Sequence, residues 1–164
     1  LMRRGHDEKL PLEIIEKFRS VLPENTVSTD VIIGFPTETE FDFMETISVI
    51  EKMEPDIVNI SKFGVRPGTR AKDMDQIPRK IINERSKRFS EIVKTISLNK
   101  NKKWIGWKGN CLIDEVGKKP NTWMGRNLSY KPIVIKTDRG ILGKQLQVEI
   151  IDVTYSYLIG KIIE

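Results

Sequence analysis

A two-part protein, an α/β module followed by a small all-β barrel, is the fold class that the sequence predicts. Three observations carry the prediction. Helical and strand patterns alternate through the first hundred residues, and two strand-like runs lie about 30 residues apart, the repeat length of a βαβ unit. Beyond Lys103 the apolar period changes from helical to alternating, in short segments separated by glycine-containing or polar turns. Charge divides at the same place: of 28 Lys+Arg and 23 Asp+Glu, residues 1–99 hold 16 and 17, whereas residues 100–164 hold 12 and 6. The net charge of +5 therefore belongs wholly to the second part. Such a field attracts a polyanion such as nucleic acid, or else it only solubilises a lysine-rich surface.

Composition limits the classes further. With 38% hydrophobic and 31% charged residues the chain can bury a core, and no apolar run is long enough for a membrane span. Membrane and secreted classes are set aside. Cys111 is the single cysteine, so neither a disulfide framework nor a cysteine metal site can be built within this chain, and a reducing cytoplasm is the expected location. A first residue of Leu1 rather than Met leads to the expectation of a piece of a longer polypeptide whose N-terminal half is missing.

Taken in order, Leu1 to His6 begins abruptly with adjacent arginines, Arg3 and Arg4, and His6 has no second ligand at metal spacing. Leu12, Ile15, Phe18 and Leu22 recur at helical intervals, and Pro23-Glu24-Asn25 ends that helix. Thr26 to Ile33 is a strand. Its β-branched run Val31-Ile32-Ile33 predicts a parallel strand covered on both faces. Gly34 breaks the run and permits a sharp turn or close approach of a ligand, Pro36 stiffens the exit, and Thr37 with Glu40 predicts a capping box at a helix start. The corner is either a ligand site or an ordinary strand-to-helix connection. Phe43, Ile47 and Ile50 form the stripe of the next helix, broken at Met53 to Asp56, and Ile57 to Phe63 is the second strand. The loop Gly64 to Ala71 follows, its Pro67-Gly68 pair fixing a turn that places Arg66 for an anion or as a brace of the rim. From Pro78 a long helix presents Ile82, Arg85, Phe89, Ile92 and Ile96, and the polar run Asn99 to Lys103 marks the domain boundary.

In the second part the expected strands are Asn110 to Val116, Ile133 to Thr137, Leu146 to Thr154 and Tyr157 to Ile162, with Cys111 a small core residue. Lys118 to Lys131 reads as one loop in which basic, amide and aromatic side chains interleave. It offers phosphate contacts and stacking planes to RNA, or Trp123 and Tyr130 fold back on the barrel.

Five strings carry two resemblances. Asp30 to Phe43 is similar to the D-I-I-V-G-F-P-G-E-T-E-x-D-F segment of radical S-adenosylmethionine (SAM) methylthiotransferases, with Thr37 where that family usually has Gly. Leu1 to Gly5 resembles the family's M-K-R-G segment, and Arg66-Pro67-Gly68-Thr69 its S-P-R-P-G-T-x-A loop, here with Gly64-Val65 in place of Ser-Pro. Gly125 to Val134 resembles the G-R-N-x-x-Y-K-x-V segment of TRAM domains, small RNA-binding barrels, and Tyr157 to Gly160 their Y-L-x-G ending.

The resemblance implies residues 1–99 as the C-terminal part of a radical-SAM (β/α) barrel and residues 100–164 as an OB-like TRAM barrel. It implies a tRNA methylthiotransferase of the archaeal and eukaryotic branch, acting on N6-threonylcarbamoyladenosine beside the anticodon. A ribosomal-protein methylthiotransferase, a non-enzymatic RNA-binding protein and a structural adaptor are the alternatives. By resemblance, Gly34, Phe35, Pro36 and Thr37 face SAM, and Arg3, Arg4, Arg66, Pro67, Gly68 and Thr69 lie at the substrate rim. Lys118, Lys119, Trp123, Arg126, Asn127, Tyr130 and Lys131 face tRNA. SAM and [4Fe-4S] clusters are the implied cofactors of the full-length enzyme. The three cluster cysteines are absent here, so the fragment alone is expected to be inactive.

Overall fold

The computed structural model describes residues 9–163, and they fall into two compact units, one of residues 9–23 and 27–93, the other of residues 24–26 and 94–163. Arg3, Arg4 and His6 lie outside the described residues.

The first unit holds helix α1 (Lys9–Val21), strand β1 (Ser28–Ile33), helix α2 (Glu40–Met53), strand β2 (Ile57–Lys62), a 3-10 turn (Arg70–Asp73) and the first part of helix α3 (Arg79–Lys102). β1 and β2 pair in parallel from Ser28↔Ile57 to Ile33↔Lys62. Within this chain one face of the pair is covered. Thr29, Val31 and Ile33 alternate inward with Val58 and Ile60, while Ser28, Asp30, Ile32, Ile57, Asn59 and Ser61 are exposed, and Asn59 donates to Asp30 across the open face at 2.8 Å. The β-branched run is continuous in sequence, but the pleat sends alternate members to opposite sides. The core beneath the covered face is Ile33, Phe43, Ile47, Ile50, Met53, Ile82 and Phe89.

The predicted cap is also displaced. Thr39 is the N-cap of α2 and forms the capping box with Asp42, the Asp42 amide donating to the Thr39 hydroxyl at 3.1 Å and the Thr39 amide donating to the Asp42 carboxylate at 2.7 Å. Thr37 and Glu40 meet the same sequence rule, but Thr37 stands in the turn before the helix with φ +71°, where it cannot cap. Along α3 the buried stripe runs Ile82, Arg85, Phe89, Val93, Ser97 and Asn101, so Val93 rather than Ile92 or Ile96 continues it. The polar run from Asn99 is the last turn of this helix and not a loop, since Asn101 is buried by hydrogen bonding rather than by apolar contact.

In the second unit β3 (Lys108–Val116), β4 (Thr122–Arg126), β5 (Pro132–Lys136), β6 (Gln145–Val153) and β7 (Leu158–Ile162) close a barrel in the order β3-β4-β5-β7-β6. Only β5 and β7 pair in parallel. Cys111, Ile113, Ile133, Ile135, Ile141, Val148, Ile150 and Leu158 fill its interior. β4 is the element that the sequence reading missed, because its two inward positions are Trp123 and Gly125 and leave no apolar alternation to detect. Gly125 is required there: a Cβ would lie 2.5 Å from the Leu112 carbonyl oxygen and 2.6 Å from Cys111 Sγ.

Candidate cofactor corner and nucleic-acid interface

Two places bring sequence-predicted site residues together. The first is the carboxyl end of β1 and β2. Gly34 takes φ +83° to leave the strand, and its amide donates to Glu38 Oε2 at 3.0 Å. The space on the side-chain face of Gly34 is filled, for a Cβ there would meet Ile82 side-chain atoms at 2.6 to 3.0 Å. Its missing side chain serves the packing of α3. Phe35, half-buried, meets Phe63 edge-on with ring centres 5.3 Å apart, each ring lying just past the end of its strand. Pro36 is buried and Thr37 exposed. Arg66, Pro67, Gly68 and Thr69 are all exposed, and their turn is held by the Thr69 hydroxyl donating to the Arg66 carbonyl at 2.8 Å, with Gly68 at φ +75°.

The second place is β4, whose two ends separate the residues that the sequence presented as one loop. At its start lie Lys118 and Lys119, in the turn closed by the Thr122 hydroxyl on the Lys119 carbonyl at 2.6 Å. Thr122 pairs with Lys136, and the Thr137 amide donates to the Asn121 carbonyl at 2.9 Å, so Lys136 and Arg139 join the same end. All four cations are exposed and make no ion pair among the described residues. Lys136 and Arg139 were missed because they lie 17 or more residues along the chain from Lys119, and only strand pairing brings them near.

About 13 Å further along, at strand rise, is the other end. Arg126 is not a free cation there. Its Nε lies 3.2 Å from Asp114 and its Nη2 3.1 Å from Glu115, and the guanidinium covers the Tyr130 ring at 5.0 Å. The two carboxylates more than offset its charge, and the guanidinium, whose buried Nε makes no hydrogen bond, presents a surface stacked on the ring. Asn127 closes its own turn, its Oδ1 accepting from the Lys131 amide at 2.9 Å, while its Nδ2 is buried with no acceptor. Lys131, expected to face tRNA, is buried, 4% exposed, with Nζ donating to Asn101 Oδ1 at 3.0 Å, which gives it a structural contact within the barrel unit. Trp123 is half-buried, its Nε1 donating to the Thr137 carbonyl at 3.2 Å and its ring packing on the barrel core, the second of the two arrangements that the sequence allowed. Leu128, fully exposed, and Tyr130, 68% exposed at φ +62°, are what this turn presents to solvent.

Neither place holds a metal site. Among the described residues no group of three or more His, Cys, Asp or Glu could hold an ion, and no helix is long and apolar enough to cross a membrane.

A five-stranded barrel in this order, with a basic hairpin end and an aromatic turn at the two ends of its second strand, is of the OB-like class. The comparisons narrow the class. Over nearly its whole length the chain is homologous to a portion of tRNA methylthiotransferases. It is 37% identical, over 98% of its length, to a probable threonylcarbamoyladenosine tRNA methylthiotransferase of Archaeoglobus fulgidus, and 35% identical, over 97%, to one of Methanothermobacter thermautotrophicus. It is 38% identical, over 100% of its length, to a tRNA-2-methylthio-N(6)-dimethylallyladenosine synthase of Aquifex aeolicus. The chain spans about 37% of the length of each of these relatives. No family model matches it.

Proposed function

We propose that this chain is the C-terminal part of a tRNA methylthiotransferase that modifies N6-threonylcarbamoyladenosine beside the anticodon, in the cytoplasm. The observation that carries the reading is the alignment of nearly the whole chain with archaeal relatives named for that nucleoside. The synthase-type relative of Aquifex aeolicus favours a second reading, in which the modified base is N6-dimethylallyladenosine.

In the first reading residues 1–99 complete a radical-SAM (β/α) barrel and residues 100–164 form a TRAM domain. SAM supplies the methyl group and the radical initiator. The Phe35–Phe63 pair fits an adenine ring, because two half-buried rings at parallel strand ends offer an apolar face where such sheets place their ligands. Phe35, Pro36 and Thr37 form that wall, Gly34 lets α3 close behind it, and the Arg66 to Thr69 turn borders it. Residues for an iron-sulfur cluster do not fit this chain: its one cysteine, Cys111, lies inside the barrel. The cluster cysteines belong to the rest of the polypeptide, and the fragment alone is inactive.

The barrel grips tRNA from two ends of β4. Lys118, Lys119, Lys136 and Arg139 neutralise phosphates, and Tyr130, backed by Arg126 and placed by the Asn127 turn, stacks on a base. The test is nucleoside analysis by mass spectrometry after the full-length enzyme acts on tRNA carrying each modified adenosine. Methylthiolated threonylcarbamoyladenosine is expected. Product from dimethylallyladenosine alone would select the second reading, and no methylthio product from either would sink both. Filter retention of tRNA by the Lys118→Gln/Lys119→Gln variant should show a log–log salt slope shallower by about 1.4, at roughly 0.7 per phosphate contact to a single strand.

A further inference from the structure

The segment from Gly34 to Glu40 carries more constraint than a strand-to-helix connection needs. Thr37 holds φ +71°, a left-handed conformation that β-branched residues rarely adopt. The next residue turns its carboxylate back on the loop: Glu38 Oε2 accepts from the Gly34 amide at 3.0 Å, while Oε1 accepts from Arg85 Nη1 at 2.8 Å. The same Nη1 donates to the Glu38 carbonyl at 3.0 Å, and Arg85 Nε reaches Glu40 Oε2 at 3.1 Å. Arg85 is 9% exposed, with its guanidinium carbon 5.5 Å from the centre of the Phe43 ring. Arginine is rarely buried to this extent unless paired, and here every partner but Phe43 belongs to the loop or its exit. A planar fork is needed, since two carboxylates and a carbonyl are engaged in fixed directions at once.

We propose that Arg85 is a positioning residue for the cofactor corner. From α3, without touching the ligand, it fixes Glu38, and through Glu38 the Gly34 amide, so that the strained turn keeps Phe35 against Phe63. The inference rests on the reading of that corner as the SAM wall. Arg88 supplies an internal comparison: its Nη1 binds Glu40 at 3.0 Å from the same helix, but its side chain is 51% exposed and it makes no contact with Glu38.

The experiment uses full-length, cluster-loaded enzyme and measures SAM affinity by equilibrium dialysis, KM and kcat for SAM, melting temperature and tRNA retention. Arg85→Gln should weaken SAM binding about tenfold, within the range of couplings transmitted through a positioned element. It should raise KM while leaving kcat at saturating SAM within about twofold and tRNA retention unchanged. Arg85→Lys should recover little of the loss, because an ammonium cannot reproduce the fork. Arg88→Gln should leave SAM affinity at the parent value. Should Arg85→Gln fail to fold, Glu38→Gln, which keeps an oxygen for the Gly34 amide and gives up the ion pair, should show the same rise in KM. SAM affinity unchanged in folded Arg85 variants, or equal losses in Arg85→Gln and Arg88→Gln, would overturn the proposal. A parent enzyme indifferent to SAM, or one whose SAM affinity survives Phe35→Ala, would instead remove the reading of the corner and the inference with it.

Discussion

Thr37 and Cys111 are single residues whose surroundings decide their behaviour. Thr37 holds φ +71° where the family segment has glycine. The left-handed conformation costs an L-residue about 1–2 kcal/mol, and glycine gives back part of that through the entropy of the unfolded chain. Thr37→Gly should therefore stabilise the protein by about 0.5–1 kcal/mol, a rise in melting midpoint of roughly 2 °C by calorimetry. An unchanged or lower midpoint would show that the turn bears no strain. The substitution was legible in sequence, but its backbone angle was not, because threonine at a glycine position reads as a polar exchange until φ is known. Cys111 was legible as a core residue. Its thiol is pushed up to about 11, chiefly by burial and secondarily by the Asp114 charge. A raised native pKa contributes stability that is whole below the ordinary thiol value near 9 and is lost as pH rises through 11. Denaturation midpoints should accordingly fall between pH 9 and 11 more in the parent than in Cys111→Ala, and equal falls would contradict burial of the thiol.

At the scale of elements, periodic apolar residues were read correctly and locally bonded polar ones were not. The stripe of α2, that of α3 as far as Phe89, and four of the five barrel strands follow from spacing alone. The start of α2 does not, since Thr37 and Glu40 satisfy the same rule as Thr39 and Asp42, and only the turn before the helix selects between them. β4 escaped for the opposite reason: glycine replaces an apolar residue where the barrel has no room for one. The cap leads to a test. Thr39→Ala should cost about 1 kcal/mol in denaturant unfolding, as loss of an N-cap does. The Asp42 carboxyl is held below its ordinary value, first by the Thr39 hydroxyl and then by the Thr39 amide. A lowered native pKa gives stability that is present above the unfolded value and is lost as pH falls through the native one. The gap in unfolding midpoint between parent and Asp42→Asn should thus be full at neutral pH and close in acid, below the ordinary carboxylate range. A gap independent of pH would assign the effect to something other than the carboxylate.

For the whole molecule, the division of charge follows the two modules, and the compact units divide at residues 93 and 94, six residues before the boundary expected from the sequence. Polar residues at the end of α3 looked like a linker because nothing in sequence shows that Asn101 and Lys131 meet. Asn101 accepts from Lys131 Nζ at 3.0 Å and donates to the Thr154 carbonyl at 2.9 Å, tying the last turn of the helix to the barrel. A fragment of residues 94–164 keeps both bonds, and a fragment of residues 103–164 removes Asn101 from a buried ammonium. Hydrogen bonds to charged groups contribute about 1.5–3 kcal/mol, so the shorter fragment should unfold at lower denaturant by that amount. Lys118, Lys119, Lys136 and Arg139, the cations assigned to phosphates, are the same in both, so tRNA retention at a temperature where each is folded should show one common salt slope. Equal stability of the two fragments would show that the barrel module begins after Lys103, as the sequence alone suggests. A shallower slope in the shorter one would mean that Lys100 or Lys102, in the helix end, contacts the nucleic acid directly.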